Sequence, residues 1–262
     1  MFSWRAEVRP GVWVAFTDAA AGNLALHVGD DPAEVARRRR AIEAAVGLDG
    51  RPFRYMNQVH GNDVAAVGAA SAAGSGPGVR SADVPTADAP TADAMVSFGE
   101  PLAVMVADCV PVVLVGDRAG GETPVLAVVH AGRPGVASGV VPAAVLRMRE
   151  LGAAEITAWI GPSVCGRCYE VPEDMRDHVA ARVPATRCTT ASGTPGLDLP
   201  AAVRSQLQDN GVRVEYSGGC TLEDDQLFSY RRDPDTGRFA GLVWTDAGTP
   251  AGTRRANEQL SG

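Results

Sequence analysis

Two consecutive apolar runs, residues 102–115 and 124–132, limit the possible folds more than any other feature of the chain. Both are rich in β-branched residues and show almost no alternation of polar with apolar positions, the pattern of strands buried on both faces. Residues 116–123 between them are polar and glycine-rich and predict a reversal centred near 119–120. Antiparallel pairing about that centre sets Cys109 roughly opposite His130, so that a thiol and an imidazole meet at the rim of a hydrophobic sheet. Pro111 cannot donate to a strand ladder and marks a bulge or break beside Cys109.

A sheet of this kind needs a sizeable core, and 262 residues with 45% apolar content can supply one. The net charge of −7 argues against a nucleic-acid or anionic-membrane partner, while leaving room for a small anionic substrate in a local basic pocket. No apolar run approaches the roughly 20 residues of a membrane span. The first residues lack the basic and then apolar pattern of a signal peptide, so a cytoplasmic setting with reduced thiols is expected. Five cysteines, an odd number, do not suit a complete disulfide framework. There are only four histidines: His27, His60, His130 and His178.

Along the chain, residues 12–16 predict a strand and 23–29 a short extended piece. Asp31, Pro32 and Glu34 are start signals for a helix ending at Gly47. The basic run from Arg37 to Arg40 within it reads as a solvated face. Residues 53–60 read as a strand leading to a turn at Gly61, which puts His60 at the mouth of a hairpin. Residues 68–92 read as a mobile insertion and 245–262 as a frayed tail. A helix over 136–150 kinked at Pro142, a strand over 155–160, helices over 172–183 and 199–210, and strands over 212–216 and 238–244 complete the pattern. Strands and helices do not alternate strictly. The expected class is therefore α+β, a single catalytic domain over residues 1–262 with a mixed β-sheet flanked by helices.

His60, Cys109 and His130 each end a strand-like run beside a turn or break. Two histidines and a cysteine are a common ligand set for catalytic Zn²⁺, with the fourth position left for water, whose pKa such an ion lowers to about 7. The same trio suits a metal-free site with Cys109 as nucleophile and a histidine as base. It also suits a blue-copper carrier. A multicopper oxidase needs more imidazoles than four histidines provide. Gly132, Arg133 and Gly135 open a helix after His130, where free N–H groups beside an arginine could hold an anion. Arg231 and Arg232 are a second candidate anion contact, of which a strand would turn only one inward. Asp93 and Asp108 could orient the histidines or simply shape turns. Cys165 and Cys168 have CxxC spacing, but without a matching second pair they read as bystander thiols.

Several blocks stand in order: Asn57-Gln58-Val59-His60-Gly61, Ala92-Asp93-Ala94, Ala107-Asp108-Cys109-Val110-Pro111, Val129-His130-Ala131-Gly132, Ile160-Gly161-Pro162, Cys168-Tyr169-Glu170-Val171 and Phe228-Ser229-Tyr230-Arg231-Arg232-Asp233. Together they resemble the bacterial laccase-domain or "polyphenol oxidase" family, later reassigned as zinc-dependent purine nucleoside phosphorylases, over about residues 10–244. The segment His27-Val28-Gly29-Asp30 resembles the family's N-terminal block as well. The resemblance implies zinc on His60, Cys109 and His130, and phosphorolysis of adenosine, inosine and methylthioadenosine with adenosine deamination as a side activity. It also implies a fold similar to the cysteine hydrolases of bacterial deamidating toxins. Some members are linked instead to editing of peptidoglycan precursors, an amide hydrolysis. Where the family usually has Trp-Arg-Gly after His-Ala-Gly, this chain has Arg133-Pro134-Gly135, which bears on substrate choice and not on metal binding.

Overall fold

The computed structural model describes residues 1–48, 50–68, 89–121 and 123–246; most of the 68–92 insertion and of the 245–262 tail lies outside the described residues. In chain order the elements are β1 (Phe2–Arg9), β2 (Val12–Thr17), α1 (Pro32–Ala45), β3 (Val64–Ala66), β4 (Ala94–Phe98), β5 (Leu102–Val106), β6 (Val110–Arg118) and β7 (Val125–Ala131). There follow α2 (Arg133–Ser138), α3 (Val140–Glu150), β8 (Ala153–Ile160), α4 (Glu173–Ala180), β9 (Arg187–Thr189), β10 (Pro195–Leu197), α5 (Leu199–Asp209), β11 (Arg213–Ser217) and β12 (Phe239–Thr245).

The strands form a four-stranded antiparallel sheet, β1-β2-β12-β5, and a six-stranded mixed sheet, β11-β8-β6-β7-β4-β3, whose outermost pairs are parallel. A short β9-β10 ribbon stands apart. The two main sheets pack face to face, and the strand period of two explains why β6 is apolar at every position from Val110 to Val115. Val113 and Val115 meet Phe16, Val104 and Phe239 of the smaller sheet. Val112 and Leu114 face Val141, Val145 and Met148 of α3 and Val203 and Leu207 of α5. On the far side of the smaller sheet, Ile42 of α1 packs with Met105, Leu242 and Trp244. The mixed α+β class is as expected, with two sheets sandwiched between helices rather than one. Among the described residues, no helix is long and apolar enough to cross a membrane.

The run over 102–115 is two strands, not one. β5 pairs with β12 in the smaller sheet, whereas β6 pairs with β7 and β8 in the larger. The change of sheet occurs at Ala107, Asp108 and Cys109, because Asp108 has hydrogen-bonding groups that an apolar ladder would leave stranded. Its carboxylate accepts from Thr221 Oγ1 (2.6 Å) and the Arg231 amide (2.9 Å), and its carbonyl accepts from the Val164 amide (3.1 Å). Pro111, inside β6 and paired with His130, does not mark the break.

Other expectations need correction. Residues 53–60 form no strand; Arg54 and Asn57 make isolated bridges to Leu102 and Thr91, and the Gln58 amide grips both backbone groups of Met105. Residues 23–29 are irregular, because the Asn23 side chain satisfies the Ala25 and Arg238 amides in place of a ladder. The 136–150 helix is interrupted at Gly139 (φ 85°), and Pro142 sits in the first turn of α3, where no amide is needed. Arg39 is buried, its guanidinium 3.6 Å from the Tyr55 ring centroid and donating to the Leu24 carbonyl, so the basic run is not wholly solvated. The Asp31 and Asp198 caps are present, each carboxylate accepting from an amide in the first helical turn.

Candidate active site at the seam between the sheets

Cys109 sits where the chain crosses from one sheet to the other, and His130 is the penultimate residue of β7. His60 lies in the turn beside them in a left-handed conformation (φ 63°), which L-residues adopt at some cost. Asp93 offsets that cost. Its buried carboxylate accepts from the amides of Val59 (3.2 Å), His60 (2.9 Å) and Gly61 (2.6 Å), and also contacts His130 Nδ1 at 2.8 Å. One carboxylate therefore holds both the His130 ring and the backbone that carries His60.

The result is a compact trio. Ligand atoms of His60, Cys109 and His130 all lie within 4.8 Å of one another. Cys109 Sγ is 3.8 Å from His60 Nε2, and the two imidazole centroids are 4.6 Å apart at 76°. Burial by itself would raise the Cys109 thiol, but His130 and His60 outweigh it and bring the group down to about 6. Burial would likewise lower His130, yet the facing Cys109 and Asp93 carry it up to about 9. Asp93 is lowered overall: burial pushes it up, and His130 with the Gly61 and His60 amides more than reverses this. Cys109 and His130 thus favour each other's charged form, with the Asp93 carboxylate behind the imidazole.

The other expected residues divide. Gly132 is needed for room, since a Cβ there would stand 2.6 Å from His60 Cδ2 and 3.1 Å from Cys109 Sγ. Gly135 is pressed against the Gly61 carbonyl, with a Cβ distance of 2.9 Å. Pro134 lacks an amide and α2 has only six residues, so the anion cradle expected at its start shrinks to the Arg133 guanidinium. That side chain is half-buried and makes no hydrogen bond or ion pair among the described residues.

Asp108 does not touch either histidine; it ties the 162–164 and 221–231 loops around Cys109. Arg231 lies in a turn rather than a strand, with its guanidinium 4.5 Å from the Tyr169 ring centroid. Arg232 is taken up by the carbonyls of Thr221 and Leu227 and braces a loop instead of facing the site.

Two neighbours escaped sequence reasoning. Arg238 lies close enough to Cys109 and Asp108 for their charges to act on it, and His27 is lowered by burial and by Arg238 and His130. The N-terminal block containing His27 was the available signal; Arg238, at the head of a predicted strand, gave none. The CxxC pair is also not alone: Cys220 and Glu223 join Cys165 and Cys168 in a second cluster.

Residues 10–246 match the family described as multi-copper polyphenol oxidoreductase laccase. A purine nucleoside phosphorylase of Streptomyces griseus is 46% identical over 253 residues, 92% of this chain and 97% of that protein. One of Mycobacterium tuberculosis is 47% identical over 230 residues, covering 86% and 84%. Among solved structures, a Neisseria meningitidis protein superposes with a TM-score of 0.75 at 34% identity over 94% of this chain and 99% of that one. Geobacillus stearothermophilus YlmD gives a TM-score of 0.73 at 28% identity over 92% and 98%.

Proposed function

The chain belongs to the multi-copper polyphenol oxidoreductase laccase family, and from that membership we propose that it is a purine nucleoside phosphorylase. The proposed substrates are adenosine, inosine and methylthioadenosine, with deamination of adenosine as a side reaction and the cytoplasm as the setting. The observation that supports this reading is near-full-length identity to enzymes of that name. The multi-copper label does not suit the ligands, because only His60 and His130 of the four histidines enter the cluster.

His60, Cys109 and His130 are the proposed metal ligands, and their chemistry fits Zn²⁺: two imidazoles and a thiol whose donor atoms all lie within 4.8 Å of one another, a three-ligand set that would leave a fourth position for water. A zinc ion bound there supplies a Lewis acid and lowers the pKa of water to about 7. Asp93 keeps the His130 Nδ1 proton toward itself, which leaves Nε2 as the donor atom. Arg133 would hold the phosphate beside the ribose, with Arg231 as a further contact, while Arg238 is near enough to Cys109 and His27 near enough to His130 for their charges to interact. A phosphate oxygen bonds to C1′ as the C1′–N9 bond breaks, and the bonding pair leaves with the base.

A second reading rests on one observation. Cys109, His130 and Asp93 stand in the order of nucleophile, base and orienting carboxylate. That arrangement suits hydrolysis of an amide in a cell-wall precursor. Metal analysis together with a nucleoside panel, with and without phosphate, separates the readings. Zinc and ribose 1-phosphate are expected. No ribose 1-phosphate from adenosine or inosine and no 5-methylthioribose 1-phosphate from methylthioadenosine would overturn the phosphorylase reading, and a blue copper chromophore would favour a redox carrier.

A further inference from the structure

Two loops converge away from the histidines. One follows β8 and carries Cys165 and Cys168; the other follows β11 and carries Cys220 and Glu223. The three sulfurs and one carboxylate oxygen all lie within 4.8 Å of one another. The Cys168 thiol donates to Glu223 Oε1 at 3.4 Å, and the Cys165 amide donates to Cys220 Sγ at 3.4 Å. Tetrahedral Zn²⁺ with Zn–S bonds of about 2.3 Å holds its sulfurs about 3.8 Å apart, so the cluster needs only a small contraction to close on an ion. All five cysteines are free. A cleft of about 370 Å³, lined by Ser163, Cys165, Arg204, Gly219 and Cys220, gives a path from solvent.

We propose that Cys165, Cys168, Cys220 and Glu223 form a second metal site, a closed four-ligand Zn²⁺ centre that clamps the two loops together. Three thiolates select a soft or borderline ion, and a full set of four protein ligands marks a structural rather than a catalytic site. The position of the clamp gives it a purpose. The loops are already stitched by Ser163 N to Gly219 O (3.2 Å) and Thr221 N to Ser163 O (3.1 Å). Beside those bonds, Val164, Thr221 and Arg231 hold Asp108, the residue before Cys109. The clamp therefore steadies the backbone that presents Cys109, and it is independent of the nucleoside chemistry.

Metal content of the full-length protein purified under reducing conditions tests the site. Wild type should carry about two zinc ions per chain, falling to about one in C168S/C220S and to about one in H60A/H130A. The cysteine variant should melt roughly 5 °C or more below wild type. Unchanged zinc in C168S/C220S would overturn the proposal. In case that variant does not fold, maleimide mapping of wild type serves instead: Cys165, Cys168 and Cys220 should be protected until a chelator is added. Cys188, whose thiol donates to the Gly166 carbonyl outside the cluster, should react alike before and after. Equal labelling of the three thiols with and without chelator, or recovery of a disulfide among them in metal-free protein, would overturn it.

Discussion

The two clusters differ in how they are made and in what they leave open. The seam cluster takes its residues from a strand end, a sheet crossing and a turn, and one buried carboxylate, Asp93, binds the strand end to the turn. It offers three donors, which on a bound Zn²⁺ would leave one coordination position for a reactant. The loop cluster offers four and keeps none. Rigid β-structure positions the open set, where small displacements matter to chemistry. The closed set joins loops that would otherwise rest on a few backbone hydrogen bonds. Openness goes with reaction and closure with bracing.

The variants that should separate the clusters most sharply are His130→Ala and Cys109→Ala. Each should abolish turnover and remove the seam metal while the loop metal stays, as read by metal content and nucleoside assay; loss of both metals would show that the clusters are not independent. Asp93→Asn comes next, since an amide cannot accept from three backbone amides and His130 in the same way. It should lower seam-metal affinity or activity by about 10–100-fold, measured by chelator competition.

Arg133→Ala should raise the phosphate KM or lower turnover about tenfold, as a charge-assisted contact worth ~1.5–3 kcal/mol is lost. Adenosine deamination, which uses water, should fall much less, and an equal fall would remove the phosphate role. In metal-free protein, Cys109 is held down to about 6, so iodoacetamide should react slowly below that pH and fully above it. His130→Ala should move the midpoint upward, because the imidazolium that favours the thiolate is gone. The smallest effect belongs to Cys168→Ser. It should change kcat by less than about twofold while lowering Tm, because a brace acts on stability before chemistry.

The seam cluster was legible in part, because His130 ends an apolar run whose reversal onto the run holding Cys109 could be read from the sequence. The register Pro111 to His130 places Cys109 one step past the ladder, close to the position expected from the reversal alone. Asp93 could be named, but its grip on three amides could not, since those bonds exist only once residues 59–61 wrap around it. The change of sheet at Asp108 was missed because an apolar run with one interior aspartate reads as continuous. The loop cluster was missed for a different reason. Cys165 and Cys220 are 55 positions apart and meet only because β11 lies parallel to β8, a pairing that no local spacing encodes. β1 also went unpredicted, since its alternating, half-exposed residues make an edge strand with little apolar signal.

On the proposed function, the seam site cleaves purine nucleosides with phosphate. Phosphorus NMR of the zinc-loaded protein with inosine and inorganic phosphate follows that reaction directly. The predicted result is conversion of inorganic phosphate into ribose 1-phosphate in step with release of hypoxanthine, and no conversion in His130→Ala. An unchanged phosphate signal, whether the nucleoside stays intact or yields free ribose, would contradict it.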